Sequence, residues 1–211
     1  MKPIFFFGAL LFLSCQTPVA NQDNVSFASL DFQKLDTATF AGGCFWCVEA
    51  SFEQIKGVEA AISGYSGGKA STAKYKLVSY GETKHAEAVQ VFYDPQVIDF
   101  NTLLDIFFTA HDPTQVNRQG PDVGTQYRSA IFYHNEEQKR LSEEKFAELQ
   151  PELGKPIATE LTPYKAFYKA EEYHQDFEKK NPYQSYVLNV SKPKIDRVAR
   201  KFSHLLKDEE K

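Results

Sequence analysis

Three cysteines are all that this chain of 211 residues contains, and an odd number leaves one unpaired if the protein is exported. An excess of positive charge is also missing. With 24 Lys and Arg against 28 Asp and Glu, the formal charge is −4, which gives no long-range attraction for nucleic acid. A zinc site would want two further ligands beside a cysteine pair, commonly histidines three to five residues apart. His85, His111, His134, His174 and His204 include no such pair, so no metal is expected. The longest apolar run, Ile4 to Leu13, is too short to cross a bilayer as a mature helix. Internal repeats and any sign of a second domain are absent as well.

That apolar run follows Met1-Lys2 and ends Leu11-Phe12-Leu13-Ser14-Cys15. A small residue followed by cysteine after such a run resembles a bacterial lipoprotein signal. Residues 1–14 are then a signal peptide, Cys15 the lipidated first residue, and 15–36 a polar tether; the competing reading is plain secretion with a free Cys15. The address would be the bacterial cell envelope, facing the periplasm. With Cys15 carrying lipid, Cys44 and Cys47 are the only thiols left.

The rest of the chain is organised around Gly42-Gly43-Cys44-Phe45-Trp46-Cys47-Val48-Glu49-Ala50. Thr37 to Ala41, β-branched and aromatic in part and closed by glycines, reads as a strand. Val48, Phe52 and Ile55 recur at i, i+4 and i+7, the stripe of an amphipathic helix. Cys44 therefore lies where a strand ends and a helix begins, and unpaired amides there would point at its sulfur and lower its pKa. Cys47 lies one turn on, within reach of a disulfide after modest adjustment.

Downstream, Val58 to Ile62 reads as a strand running into a glycine turn at Gly64-Tyr65-Ser66-Gly67-Gly68. Residues 69 to 84 are polar and irregular. His85 to Tyr93 is a strand with Glu87, Val89, Val91 and Tyr93 on one side. A carboxyl on an apolar face has a raised pKa; the competing reading is an exposed glutamate at a strand edge. Asp99 caps a helix with Leu103, Leu104, Phe107 and Phe108 inward. The loop from Thr114 to Tyr127 has the composition of a functional loop. Ser129 to His134 is a strand, Asn135 to Leu149 a charged helix with Leu141, Phe146 and Leu149 inward, and Ile157 to Leu161 a strand. Residues 163 to 190 form an aromatic wrap, and a final amphipathic helix around Ile195 to Leu206 turns Lys192, Lys194, Arg197, Arg200 and Lys201 to solvent. The order predicts an α+β fold, a ferredoxin-like two-layer sandwich (split β-α-β plait) with a C-terminal helical and coil wrap, in one domain over 37–207.

Six blocks in order, GGCFWCVE, GYSGG, HAEAVQVFYDP, HDPTQ, GPDVGTQYRS and AEEYHQDF, resemble the methionine sulfoxide reductase A family from about Thr39 to Tyr186. The resemblance implies reduction of the S epimer of methionine sulfoxide, free or in oxidised proteins, with no cofactor beyond an external dithiol such as thioredoxin. Carried over residue by residue, it makes Cys44 the nucleophile and Glu87 the acid that protonates the sulfoxide oxygen. Tyr75 and Tyr127 hydrogen-bond that oxygen, Asp122 supports the site, and Phe45 and Trp46 wall the substrate methyl group. The chemistry suits these residue types. The sulfoxide oxygen needs a proton as sulfur is attacked, hydroxyls aimed at developing charge stabilise it, and aromatic rings pack well on S–CH3.

The chain departs from the family in three places. Many members have Gly at the position of Cys47 and resolve with a later cysteine; none follows here, so Cys47 becomes the resolving thiol. Thr72-Ala73-Lys74 replaces the usual Asn-Pro before Tyr75, and Lys84 stands where Gly is usual before His85. A thioredoxin-type oxidoreductase shares the CxxC at a helix start but needs neither Glu87 nor the GTQYRS block. A purely structural Cys44–Cys47 disulfide is weak, since so short a loop constrains the unfolded chain by only roughly 2 kcal/mol. A monomer is expected. His85 and His111 read as hydrogen-bonded structural histidines, Glu49 as a cap or pair on the first helix, and Tyr65 and Tyr168 as core-leaning aromatics.

Overall fold

In the computed structural model, residues 34–208 are described. The signal peptide, Cys15 and nearly all of the tether expected from sequence lie outside them. The strands are β1 (Asp36–Gly42), β2 (Val58–Ser66), β3 (Ala86–Tyr93), β4 (Arg118–Gln119), β5 (Asp122–Val123), β6 (Ser129–Tyr133), β7 (Glu160–Pro163) and β8 (Phe167–Lys169). The helices are α1 (Phe45–Glu53), α2 (Tyr75–Ser79), α3 (Phe100–Ala110), α4 (Glu136–Leu153), α5 (Phe177–Lys180) and α6 (Lys192–Lys201), the last entered through a π-helical turn at Val187–Ser191.

Six strands form one sheet in the order β7-β6-β1-β3-β2-β8. β1 pairs antiparallel with β3 and β6, and β2 antiparallel with β3 and β8, while β7 joins β6 in parallel. β4 and β5 make a separate two-stranded ribbon. The two faces of the sheet are filled differently. Under α1 and α3 lie Phe40, Phe52, Leu103, Leu104 and Phe107, all fully buried, with Phe40 stacked between Phe52 and Phe107 at centroid distances of 5.3 and 4.9 Å. The opposite face carries Ala41, Ala86, Ala88 and Ala130 with Phe132, covered by Tyr164 and Phe167. The period-two alternation of β3 thus sends Val89, Val91 and Tyr93 to the helical side and its alanines to the other.

Local signals placed most elements. The Asp99 carboxylate accepts from the Thr102 amide at 2.7 Å and starts α3, and the Asn135 side chain accepts from the Gln138 amide at 2.8 Å and starts α4. Three expectations fail for tertiary reasons. Residues 69–84 are not wholly irregular, since they hold α2. α4 buries Gln138, Ser142 and Lys145, with Leu141 and Phe146 only partly covered. Gln138 donates to the Thr37 carbonyl, and Lys145 pairs with Asp105 at 2.8 Å. The basic face of α6 is not uniformly solvated. Arg197 donates to the Thr109 carbonyl at 2.7 Å, and Lys194 turns toward Cys47.

Gly64 also has a different reason from the turn expected of it, because β2 continues through it to Ser66. A Cβ there would sit 2.5 Å from the Tyr168 carbonyl oxygen and overlap the Phe167 ring. Gly64 is what allows β8 to pair with β2. Gly64→Ala should therefore destabilise the fold by roughly 1–3 kcal/mol, read as a lower urea midpoint at unchanged slope.

Candidate active site

β1 ends and α1 begins at Gly43, whose φ of +96° is a conformation other residues rarely adopt. A Cβ there would also press on the Gln119 side chain at 2.6 Å. The turn delivers Cys44 as the residue that caps α1, with no cap bond from its own side chain. The first free amide of the helix, that of Phe45, donates to Glu87 Oε2 at 3.1 Å. Here the structure corrects the expectation that helix amides would favour a Cys44 thiolate: a carboxyl from β3 takes the position instead. Cys44 is buried, and burial, followed by its contact with Cys47 and the Glu87 charge, pushes its thiol pKa up. At rest Cys44 is a neutral thiol.

Glu87 is not an exposed edge residue, being 2% exposed. Burial pushes its pKa up to about 8, against the lowering effect of the Phe45 amide, with the Asp122 charge adding to the rise. Tyr75 and Tyr127 are half-buried, and both are raised by burial first and by the Glu87 and Cys44 charges next, Tyr75 to about 12. Both tyrosines therefore stay protonated donors at any ordinary pH. Asp122 accepts from the Tyr186 hydroxyl at 2.7 Å, and that tyrosine also contacts the Cys44 sulfur. The sequence-predicted residues Cys44, Cys47, Glu87, Tyr75, Tyr127, Asp122, Phe45 and Trp46 thus come together. Cys44, Glu87 and Phe45 form a buried floor under a rim of Tyr75, Tyr127, Asp122 and Trp46, each partly open to solvent.

Four further residues hold that rim, and sequence reasoning did not assign them to the site. His174 Nδ1 accepts from the Trp46 indole at 3.2 Å, so this buried histidine is neutral with its proton on Nε2. Phe177 stacks on Trp46 at 3.7 Å. Glu171 accepts from the Tyr75 amide at 3.0 Å and from the Tyr65 hydroxyl at 2.8 Å. Tyr186 is the fourth, through its bond to Asp122. Their only sequence signal was membership of the AEEYHQDF block or of the aromatic wrap.

The histidines read as structural are so. His85 bonds the Lys69 carbonyl at 3.0 Å, and His111 lies between the Phe107 carbonyl and the Ser129 hydroxyl, each at 2.7 Å. Tyr65 is fully buried. Glu49 neither caps nor pairs on its helix. It is buried and accepts from Ser63 Oγ at 2.9 Å and from the Asp176 amide at 3.3 Å. Burial, with Glu53 close by, raises its pKa to about 8. Both cysteines are free thiols, and among the described residues no cluster of potential metal ligands occurs.

The family model described as peptide methionine sulfoxide reductase matches residues 36–206. A peptide methionine sulfoxide reductase from Pasteurella multocida is 54% identical over 170 residues, covering 81% of this chain and 98% of the relative. The reduced form of Mxr1 from Saccharomyces cerevisiae superposes with a TM-score of 0.68 at 43% identity, over 72% of this chain and 88% of that one. Methionine sulfoxide reductase A of Corynebacterium diphtheriae superposes at 0.64 with 34% identity, over 72% and 77%.

The raised carboxyls have a consequence for stability. A buried acid that prefers its neutral form contributes fully below its unfolded pKa of about 4.3 and loses that contribution as pH rises through its folded pKa. For Glu87 and Glu49 the losing limb runs up to and through about 8. The denaturant midpoint should fall between pH 5 and pH 9, and the Glu87→Gln/Glu49→Gln double variant should flatten that fall.

Proposed function

The chain belongs to the peptide methionine sulfoxide reductase family, whose members are oxidoreductases, and we propose that it returns methionine S-sulfoxide to methionine by nucleophilic catalysis from Cys44. The observation that carries this reading is the bond from the Phe45 amide to Glu87. It sets a buried, proton-bearing carboxyl beside the cysteine at the helix entrance, where an acid is needed if sulfur is to be attacked.

The substrate methyl group packs against Phe45 and Trp46, the latter fixed in plane by His174 and Phe177. The sulfoxide oxygen points at Tyr75, Tyr127 and Glu87. With a pKa of about 8, Glu87 holds its proton at neutral pH and donates it to the oxygen. The Cys44 sulfur bonds to the substrate sulfur as its own proton is given up to restore Glu87. The oxygen passes to Cys44 as a sulfenic acid and methionine leaves. The net change is one S–H and one S=O exchanged for one S–OH and a thioether. Tyrosine hydroxyls held in place before the reaction stabilise the charge on oxygen without reorganisation. Asp122, bonded to Tyr186 beside Cys44, keeps that wall of the pocket in position.

Cys47 then attacks the sulfenic sulfur and water leaves. Two thiols in one external protein remove the resulting disulfide without stalling at a mixed one, which favours a thioredoxin-like reductant. The reading of the core as a ferredoxin-like plait is supported by the order β6-β1-β3-β2 at the centre of the sheet, with α1 and α3 as the crossing helices. The signal-like segment ending at Cys15 supports export and lipid anchoring of a single catalytic domain over 37–207.

Turnover of separated R and S sulfoxides tests the proposal. The S epimer alone should react, and Cys44→Ser should be inactive. Cys47→Ser should release about one methionine per enzyme and then stall with a protein dithiol, as expected when the step that clears the sulfenic acid is lost. Glu87→Gln should lower kcat/KM about 100-fold or more, and the wild-type profile should fall as pH rises through about 8. Full activity of Glu87→Gln would remove the acid from the scheme.

A further inference from the structure

The side of Cys47 facing away from Glu87 is built from the far end of the chain. Ser191 is fully buried, and its Oγ accepts from the Cys47 thiol at 3.1 Å. Lys194 Nζ lies 4.0 Å from the same sulfur. The π-helical turn Val187–Ser191 delivers Ser191 directly ahead of α6. An extra residue in a turn rotates everything after it by about 100°, so the turn decides which side chains of α6 meet α1. The Glu178 carboxyl is buried in the same cluster beside Ser191 and Lys194, and burial raises its pKa against the lowering effect of both. It stands close enough to Cys47 to disfavour a negative charge there.

We propose that Ser191 and Lys194 are positioning residues for the resolving step, holding the Cys47 sulfur ready to attack once Cys44 has become a sulfenic acid. This rests on the reading of Cys47 as the thiol that resolves the Cys44 sulfenic acid. The groups facing Cys47 set the balance. Cys44 on its own helix donates to its sulfur, and Lys194 and Ser191 on the α6 side add charge and a hydroxyl, all three lowering its pKa. Burial and Glu178 on α5 oppose them. Tyr186 and Glu87 are the remaining titratable neighbours. The net direction is down for Cys47 and up for Cys44, so the pair is polarised before substrate arrives. Once Cys47 gives up its proton, the Ser191 hydroxyl turns from acceptor to donor toward the sulfur, and the ammonium neutralises the charge. In the step itself the Cys47–Cys44 sulfur bond forms and the Cys44 S–O bond breaks. Hydroxide leaves as water with the proton that Cys47 lost, and Cys44 is reduced as Cys47 is oxidised.

Rapid mixing of the reduced enzyme with methionine S-sulfoxide separates two readouts: the burst of methionine, which reports Cys44, and the later loss of two free thiols, which reports Cys47. From pH 5 to 9, Lys194→Gln should keep the burst while the pH midpoint of thiol loss moves up by about one unit. Its rate at neutral pH should fall about threefold, because a more basic thiolate regains part of the loss in nucleophilicity. Lys194→Arg should restore the wild-type midpoint, and Ser191→Ala should shift it in the same direction as Lys194→Gln. An unmoved midpoint in Lys194→Gln overturns the proposal. If that variant loses its burst through misfolding, an unmoved midpoint in Ser191→Ala overturns it instead. Failure of wild type to lose the Cys47 thiol after the burst would sink the resolving role of Cys47, a result distinct from either of these.

Discussion

The contact between the Phe45 amide and the Glu87 carboxyl is the one on which the arrangement around Cys44 depends. A helix start carries partial positive charge and unsatisfied amides, and the residue at that position would ordinarily receive the benefit. In this chain a neighbouring strand inserts an acid there. Two opposing effects act on Glu87: the amide favours its ionised form, and burial disfavours it. Burial is the larger, which is why the pKa settles near 8. The same competition leaves Cys44 without the amide that would have stabilised its thiolate. Glu87 and Cys44 are both neutral at rest, which is why the proposed reaction includes proton movement.

The aromatic wrap after β8 then acquires a physical explanation. Phe177 and His174 hold Trp46, Glu171 holds Tyr75 and Tyr65, and Tyr186 holds Asp122. Each of these contacts joins residues far apart in the chain, and all but the bond to Tyr65 end on a residue of the rim around Cys44. A pocket wall made of loops and short helices has little stiffness of its own. Bonds from a second layer supply the stiffness that preorganised donors require. The C-terminal segment continues the pattern past the pocket, reaching the other sulfur through Ser191 and Lys194.

The elements that sequence placed well are those whose signals are local. The caps at Asp99 and Asn135, the alternation in β3 and the stripe of α1 all act within a few residues, and all appear where expected. The misreadings share one cause. Gly64 is set by the approach of β8, Gln138 by the Thr37 carbonyl, Glu49 by Ser63 and Asp176, and Lys194 by Cys47. In every case the deciding partner sits on another element, beyond the reach of turn, cap and charge patterns.

By itself the amino-acid sequence determined that a thiol pair stands at a strand-to-helix junction, that β3 has one apolar face carrying an acid, and which family the blocks resemble. These follow from periodicity, turn chemistry and motif spacing, which operate over short stretches. Only the tertiary structure decided the protonation states. Whether Glu87 keeps its proton, and which of Cys44 and Cys47 is the more acidic thiol, depends on how much water the packed sheet and helices exclude and on which charges arrive from residues 122, 178 and 194. Burial and electrostatic interaction are properties of the assembled neighbourhood, and no short stretch of chain carries them.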